Sequence, residues 1–302
     1  MTSETVVGQE AVVHRTPVSL VTGLIRTARP KQWVKNVLVL LAPFTAARIG
    51  EPSVLISAAI AFVTFCLAAS AIYLINDAKD VAADRAHPKK RFRPIAAGIV
   101  PVPAAVSTAV VLMVGALVLA GVHAWQLAVV IAVYEAVQLG YCYGLKHQPV
   151  VDLCIVASGF LLRAIAGGAS AGIALSPWFL LTIAFGSLFM VAGKRYAEIK
   201  LFEQTGAEIR KSLRNYSASY LRFVWASSVA VVIMAYALWS FQARHNVWSE
   251  ISVVPFVIAL LRYAVDVDGG KAGAPDEIVL KDRVLQALGV LWVATMAVSF
   301  YV

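Results

Sequence analysis

The chain has 302 residues, 60% of them apolar and only 14% charged, with a mean hydropathy of +0.77. A soluble domain carries about 25% charged and under 50% apolar residues, so composition excludes a water-soluble globular enzyme, a disordered chain and a coiled coil. The net charge of +9 fits basic loops on one face of a membrane and not a nucleic-acid partner. Roughly 180 apolar residues, at about 20 per membrane helix, suffice for nine spans with short loops. The expectation is an all-α polytopic membrane protein with its helices around a central cavity.

Residues 1–27 form a polar arm with no apolar core, which does not read as a cleavable signal peptide. Residues 28–302 then form a single nine-helix unit. Its apolar runs fall near 34–50, 53–76, 102–121, 124–144, 150–173, 177–193, 217–241, 251–267 and 284–302. The connections alternate in character. The amino-terminal stretch through Lys35 and the segments 77–98, 145–149, 194–216 and 268–283 hold 21 of the 26 Lys and Arg residues, while the opposite connections hold Arg48 and Arg244. This positive-inside asymmetry predicts a cytoplasmic amino terminus, cytoplasmic basic loops and an external carboxyl terminus. Cys66, Cys142 and Cys154 each lie in an apolar run and read as small buried hydrophobes, with no disulfide framework or metal cluster.

The end of the second run reads YLINDAKDVAADRAHPKKRFRPIAAG, residues 73–98. Asp77, Asp80 and Asp84 are spaced i, i+3, i+7, and Asn76, Asp80 and Asp84 are spaced i, i+4, i+8. On a continuous helix all four project from one side. Like charges on one stripe repel, and a helix C-terminus disfavours negative charge, so the pattern calls for a cation. Hard oxygen donors suit Mg²⁺, which takes one or two carboxylates plus substrate phosphates. The cations Arg85, Lys89, Lys90, Arg91 and Arg93 follow at once, the composition needed to hold a phosphorylated, metal-bound ligand.

The run N-D-x-x-D-x-x-x-D followed by H-P-x-K-R-x-R-P-I-A-x-G resembles the first signature of the UbiA superfamily of intramembrane prenyltransferases. It matches from Asn76 through Gly98. The stretch from Arg29 to Asn36 resembles the amino-terminal R-P-x-Q-W motif of the same superfamily, and the resemblance extends over the whole chain. Aromatic-acceptor members carry a second acidic D-x-x-x-D motif after the sixth span. This chain has Gly193-Lys194-Arg195-Tyr196-Ala197-Glu198-Ile199-Lys200 instead, and a cationic second segment fits an anionic partner better than a second metal.

That departure, with the stretches 145–152, 210–216 and 274–283, resembles a branch of the superfamily that works in bacterial cell-wall arabinan synthesis. The resemblance implies Mg²⁺-dependent transfer of 5-phosphoribose from 5-phosphoribosyl 1-diphosphate (PRPP) to a polyprenyl monophosphate at the plasma membrane. It assigns Asn76, Asp77, Asp80 and Asp84 to metal and ribose-diphosphate binding, with Asp77 and Asp80 catalytic. Lys90, Arg91 and Arg93 would hold phosphate oxygens, with Lys194, Arg195, Tyr196, Glu198 and Asp152 completing the donor site. Gln32, Lys35, Tyr141 and Lys146 stand where a lipid phosphate would enter. Inside the spans, Glu135, Gln138 and Arg163 point to a polar bundle interior. Two competing readings are an aromatic-acceptor polyprenyltransferase, which the cationic second segment disfavours, and a transporter, which would place its charges near the bilayer midplane. The sequence leaves room for a homo-oligomer and does not set the acceptor's chain length.

Overall fold

The computed structural model describes residues 17–205, 213, 215–243, 246–269 and 281–301. Most of the N-terminal arm and large parts of the 210–216 and 274–283 stretches lie outside the described residues. Among the described residues there is helix and no strand.

A short amphipathic helix, α1 (Pro17–Ala28), leads into an 11-residue 3₁₀ helix (Pro30–Leu40) and α2 (Leu41–Thr45). Then come α3 (Pro52–Lys79), α4 (Val81–Ala86), α5 (Val102–His123), α6 (Trp125–Cys142), α7 (Val151–Ala171), α8 (Pro177–Thr205), α9 (Ala218–Ala243), α10 (Val247–Ile251), α11 (Val253–Asp268) and α12 (Arg283–Tyr301). Seven of these, α3, α5 to α9 and α12, are long and apolar enough to cross a membrane, and the chain is a multi-pass membrane protein.

The nine expected spans therefore become seven regular helices among the described residues and two interrupted segments. Proline causes both interruptions. Pro43 has no N–H for the Val39 carbonyl, and Pro255 has none for the Ile251 carbonyl. The first apolar run consequently forms the 3₁₀ helix and α2, and the eighth divides into α10 and α11. At about 2.0 Å per 3₁₀ residue and 1.5 Å per α residue, the first segment still carries the chain about 30 Å.

Packing follows the placement of small residues. Along α5, Ala105, Ala109, Ala116 and Ala120 are fully buried, while Val110, Val111, Val114 and Val118 are exposed. Lipid tails are as apolar as valine, so membrane helices associate through close backbone approach at small residues. Against the alanines of α5 stand Ala61, Ala68, Ala69 and Ala71 of α3. A second cluster joins α7, α8, α9 and α11 around Phe189, Tyr196, Trp225 and Tyr263, and a third gathers Phe179, Tyr236 and Trp239. An apolar groove of about 380 Å³ lies between α1, α3 and α5, with Ala28, Trp33, Ser70 and Leu112 in its walls.

Arg163 of α7 is buried and ties neighbouring elements together. Its Nε donates to Asn36 Oδ1 at 2.7 Å and its Nη1 to Gly159 O at 2.5 Å, between the rings of Phe65 and Tyr134. These contacts join the 3₁₀ helix to α7. Glu135 is buried in α6 with Oε1 unpartnered, and Gln138 donates to Ile155 O at 3.4 Å. The closest backbone approach lies nearby: a Cβ at Gly167 would stand 1.9 Å from Val39 O.

Gly167→Ala should therefore force the 3₁₀ helix off α7 and lower stability by on the order of 1–3 kcal/mol. Gly115→Ala, which meets nothing within 4 Å, should be neutral or slightly stabilising. Thermal unfolding in detergent micelles checks both, and equal melting temperatures would refute the close approach.

Candidate active site

The acidic segment does not continue as one helix. α3 ends at Lys79, Asp80 sits at the junction with φ −89° and ψ 6°, and α4 begins at Val81. The single continuous stripe expected from the spacing is thus corrected to two helical pieces hinged at Asp80. The physical reason is the one that made the stripe unfavourable: three carboxylates at a helix C-terminus repel one another and the dipole. The break lets each carboxylate meet a cation.

Asp77 and Asp84 are both buried to 3% exposure. Arg29 Nη2 donates to Asp77 Oδ1 at 2.7 Å. Arg93 Nη1 bridges the two carboxylates, at 3.1 Å from Asp77 Oδ1 and 2.7 Å from Asp84 Oδ2. Asp80 is more exposed and accepts from Lys146 Nζ at 2.5 Å. Asn76 Oδ1 faces the Cys142 thiol at 3.8 Å. Arg29 reaches Asp77 from a left-handed backbone, φ 54° and ψ 59°, between α1 and the 3₁₀ helix, and its guanidinium lies 4.7 Å from the Tyr73 ring. Strained backbone of this kind concentrates at functional sites.

A second cluster stands on the neighbouring helices at the same end of the bundle. Asp152, at the first turn of α7, is 1% exposed, and Arg195 of α8 lies 2.8 Å from its Oδ2. That contact is an ion pair and not an aligned hydrogen bond. Tyr216 donates to Asp152 Oδ1 at 2.5 Å and accepts the Val150 N–H at 2.6 Å. The Tyr216 pKa is raised, chiefly by burial and then by its hydrogen bond to the Asp152 carboxylate. Further along α8, Tyr196 donates to Asp268 Oδ1 at 2.9 Å, and Lys200 reaches the Asp268 backbone carbonyl.

The expected site residues thus fall into groups. Asn76, Asp77, Asp80, Asp84, Arg93 and Lys146 come together, and Asp152 pairs with Arg195. Tyr196 turns to Asp268 instead of joining them. Arg91 is exposed, with its guanidinium 4.9 Å from the Phe92 ring. Lys90, Lys194 and Glu198 are half-buried near these helix ends. Gln32 and Tyr141 are half-buried, and Lys35 is exposed with its ammonium 6.0 Å from the Phe160 ring. Sequence reasoning gave no role to Arg29, Tyr216 or Asp268. Arg29 and Tyr216 both lay in recognised stretches, but their partners are 48 and 64 residues away.

Among the described residues no three His, Cys, Asp or Glu side chains converge in a geometry ready to hold a metal. In place of the expected four-ligand set, Arg93 and Lys146 hold three of its carboxylates. The donor set still fits a divalent cation. Asn76, Asp77 and Asp80 offer hard oxygens within one helical turn, and Mg²⁺ takes most of its remaining ligands from phosphate and water.

A helical membrane bundle that gathers buried carboxylates, arginines and a lysine at one end is the class that this fold and site define. The UbiA prenyltransferase family matches residues 36–280, and the chain belongs to that family. It is 57% identical over 300 residues to the decaprenyl-phosphate phosphoribosyltransferase of Mycolicibacterium smegmatis, covering 94% of each chain. It is 56% identical over 295 residues to the protein of that name from Corynebacterium glutamicum, covering 95% of this chain and 89% of the relative. In fold it matches a UbiA homolog from Archaeoglobus fulgidus bound to GPP and Mg²⁺, with TM-score 0.70, 15% identity and coverage of 93% and 100%.

Arg93→Ala would leave Asp84 without its guanidinium and Asp77 with Arg29 alone. Thermal unfolding should show a loss on the order of 1.5–3 kcal/mol, the range for a hydrogen bond to a charged group. An unchanged melting temperature would mean that the two carboxylates do not depend on this bridge.

Proposed function

We propose that this chain transfers 5-phosphoribose from PRPP to a polyprenyl monophosphate, decaprenyl phosphate by its relatives' names, releasing diphosphate in cell-wall arabinan precursor synthesis. The observation that carries the reading is 57% identity to a curated decaprenyl-phosphate phosphoribosyltransferase over 94% of both chains. The local chemistry supports it. The second polar segment holds Lys194 and Arg195 in place of a second acidic motif, which suits a donor with a phosphate at both ends of its sugar.

Asp77 and Asp80, with Asn76 and Asp84 beside them, are the residues that would hold Mg²⁺ with the donor diphosphate. When bound, the cation neutralises charge that develops on the leaving diphosphate. Arg29, Arg93 and Lys146 already stand at the carboxylates and supply the positive charge that an incoming diphosphate requires. Lys90, Arg91, Lys194 and Glu198 surround the ribose 5-phosphate side in this reading, while Arg195 is engaged by Asp152 and Tyr196 by Asp268; Gln32, Lys35 and Tyr141 line the path of the lipid phosphate.

The acceptor needs no general base, because a phosphate monoester has a second pKa near 6 and is already anionic at neutral pH. Its oxygen forms a bond to ribose C1 while the bond from C1 to the diphosphate oxygen breaks, and the diphosphate leaves with the electron pair. The carboxylates beside C1 would favour the positive charge that the ring acquires. In-line attack converts the α-configured donor into a β-linked product. The charge asymmetry supports placing this mouth and the amino terminus on the cytoplasmic face of a bacterial plasma membrane, with the carboxyl terminus outside.

Purified protein in detergent, given Mg²⁺, labelled PRPP and polyprenyl phosphate, should produce lipid-extractable label. Asp77→Ala and Asp80→Ala should each reduce the rate at least 100-fold, within the range for loss of electrostatic transition-state stabilisation. A prenylated aromatic formed from 4-hydroxybenzoate and polyprenyl diphosphate, with no label in lipid, would overturn the reading.

A further inference from the structure

The loop between α6 and α7 links the two polar clusters, and its backbone is strained. Gly144 has φ +140° and Val150 has φ +69° with ψ −51°. The Val151 N–H donates to the Pro149 carbonyl at 2.8 Å, which makes residues 149–151 a γ-turn of the rare, strained hand. Left-handed backbone suits glycine, and a β-branched residue there is a genuine outlier. Such a conformation persists only where its surroundings over-determine it.

What holds this one is Tyr216. Its hydroxyl accepts the Val150 N–H at 2.6 Å and donates to Asp152 Oδ1 at 2.5 Å, while Arg195 secures the carboxylate from the other side. The ring is 9% exposed and stacks on Tyr220 at 5.9 Å. Burial beside a carboxylate raises the hydroxyl's pKa, so it keeps its proton and remains a donor at neutral pH. Four residues before Val150, Lys146 donates to Asp80 at 2.5 Å, and its side chain is 16% exposed.

We infer that Tyr216 is a positioning residue for phosphoribosyl transfer: by gripping the strained Val150 turn it holds Lys146 against Asp80, where the donor diphosphate would bind. It touches neither substrate nor metal and acts through Lys146. The inference rests on the function proposed above and names the residue of the second polar segment that would act on the first through Lys146. It also assigns Asp152 and Arg195 to the same grip.

The test uses the full chain in detergent and compares Tyr216→Phe, Lys146→Ala and the double variant, with PRPP, Mg²⁺ and polyprenyl phosphate. Tyr216→Phe should raise KM for PRPP roughly fivefold, the size of one neutral hydrogen bond, with kcat within about twofold. In the Lys146→Ala background it should add nothing, since the two act as one unit. Hydrogen exchange of the amides in 143–150 should accelerate in Tyr216→Phe while α3 stays protected. Val150→Gly, which takes the left-handed backbone without strain, should remove most of the Tyr216→Phe effect on KM. Multiplicative effects of Tyr216→Phe and Lys146→Ala, or unchanged exchange in 143–150, would overturn the inference. Absence of transfer by the unaltered protein would instead sink the proposed function, and exchange would still judge the grip.

Discussion

The arrangement of the charged end follows from one constraint: Asp77 and Asp84 are carboxylates buried in a bundle whose surroundings are lipid. An ionised carboxylate out of water is costly unless cations and hydrogen bonds compensate it. Arg29 and Arg93 do so for Asp77, and Arg93 does so again for Asp84. To deliver these guanidiniums, the chain enters from α1 through a left-handed Arg29 and returns after α4 through the Arg85–Gly98 segment. Arg85 Nε donates to the Ala96 carbonyl and closes that return. Gly23 of α1 lies against Val100 so closely that a Cβ would come within 2.6 Å of its Cγ2. The small residues of α3 and α5 then serve the same end, bringing backbones close enough for short polar reaches.

The same cations suit an incoming anion. A site that holds carboxylates with guanidinium and ammonium groups carries both charges that a metal-bound diphosphate needs. The Asp77 and Asp84 carboxylates are fixed in a water-poor setting where charge counts for more than in solvent. Were Lys146 or Arg93 to pass from carboxylate to phosphate as a divalent cation took up the carboxylate, the local charge would stay balanced. The Asp152–Arg195–Tyr216 group stands apart from this exchange, because its charges are satisfied by one another.

Much of this was legible in the sequence because it is local. The Asn76–Asp84 spacing, the following cations and the apolar runs identified a membrane bundle with one charged end. The small-residue face of α5 and the break at Asp80 come from partners and repulsions that spacing alone does not resolve. Likewise, Pro43 and Pro255 divided two apolar runs that hydropathy reads as uninterrupted. Long-range pairings were not legible. Nothing near Arg29 in the chain indicates Asp77, and nothing near Tyr216 indicates Asp152 or the Val150 N–H. Tyr196 shows the converse, since its place among cations suggested a ligand role while its hydroxyl meets Asp268.

The central claim is that the acidic segment receives PRPP together with a divalent cation. Equilibrium binding of labelled PRPP to the purified protein, with Mg²⁺ and with the metal chelated, tests it most directly. The account predicts saturable binding that chelation abolishes and that Asp77→Ala and Asp80→Ala each weaken at least tenfold. PRPP binding of equal strength without metal, or unaffected by both substitutions, would contradict it.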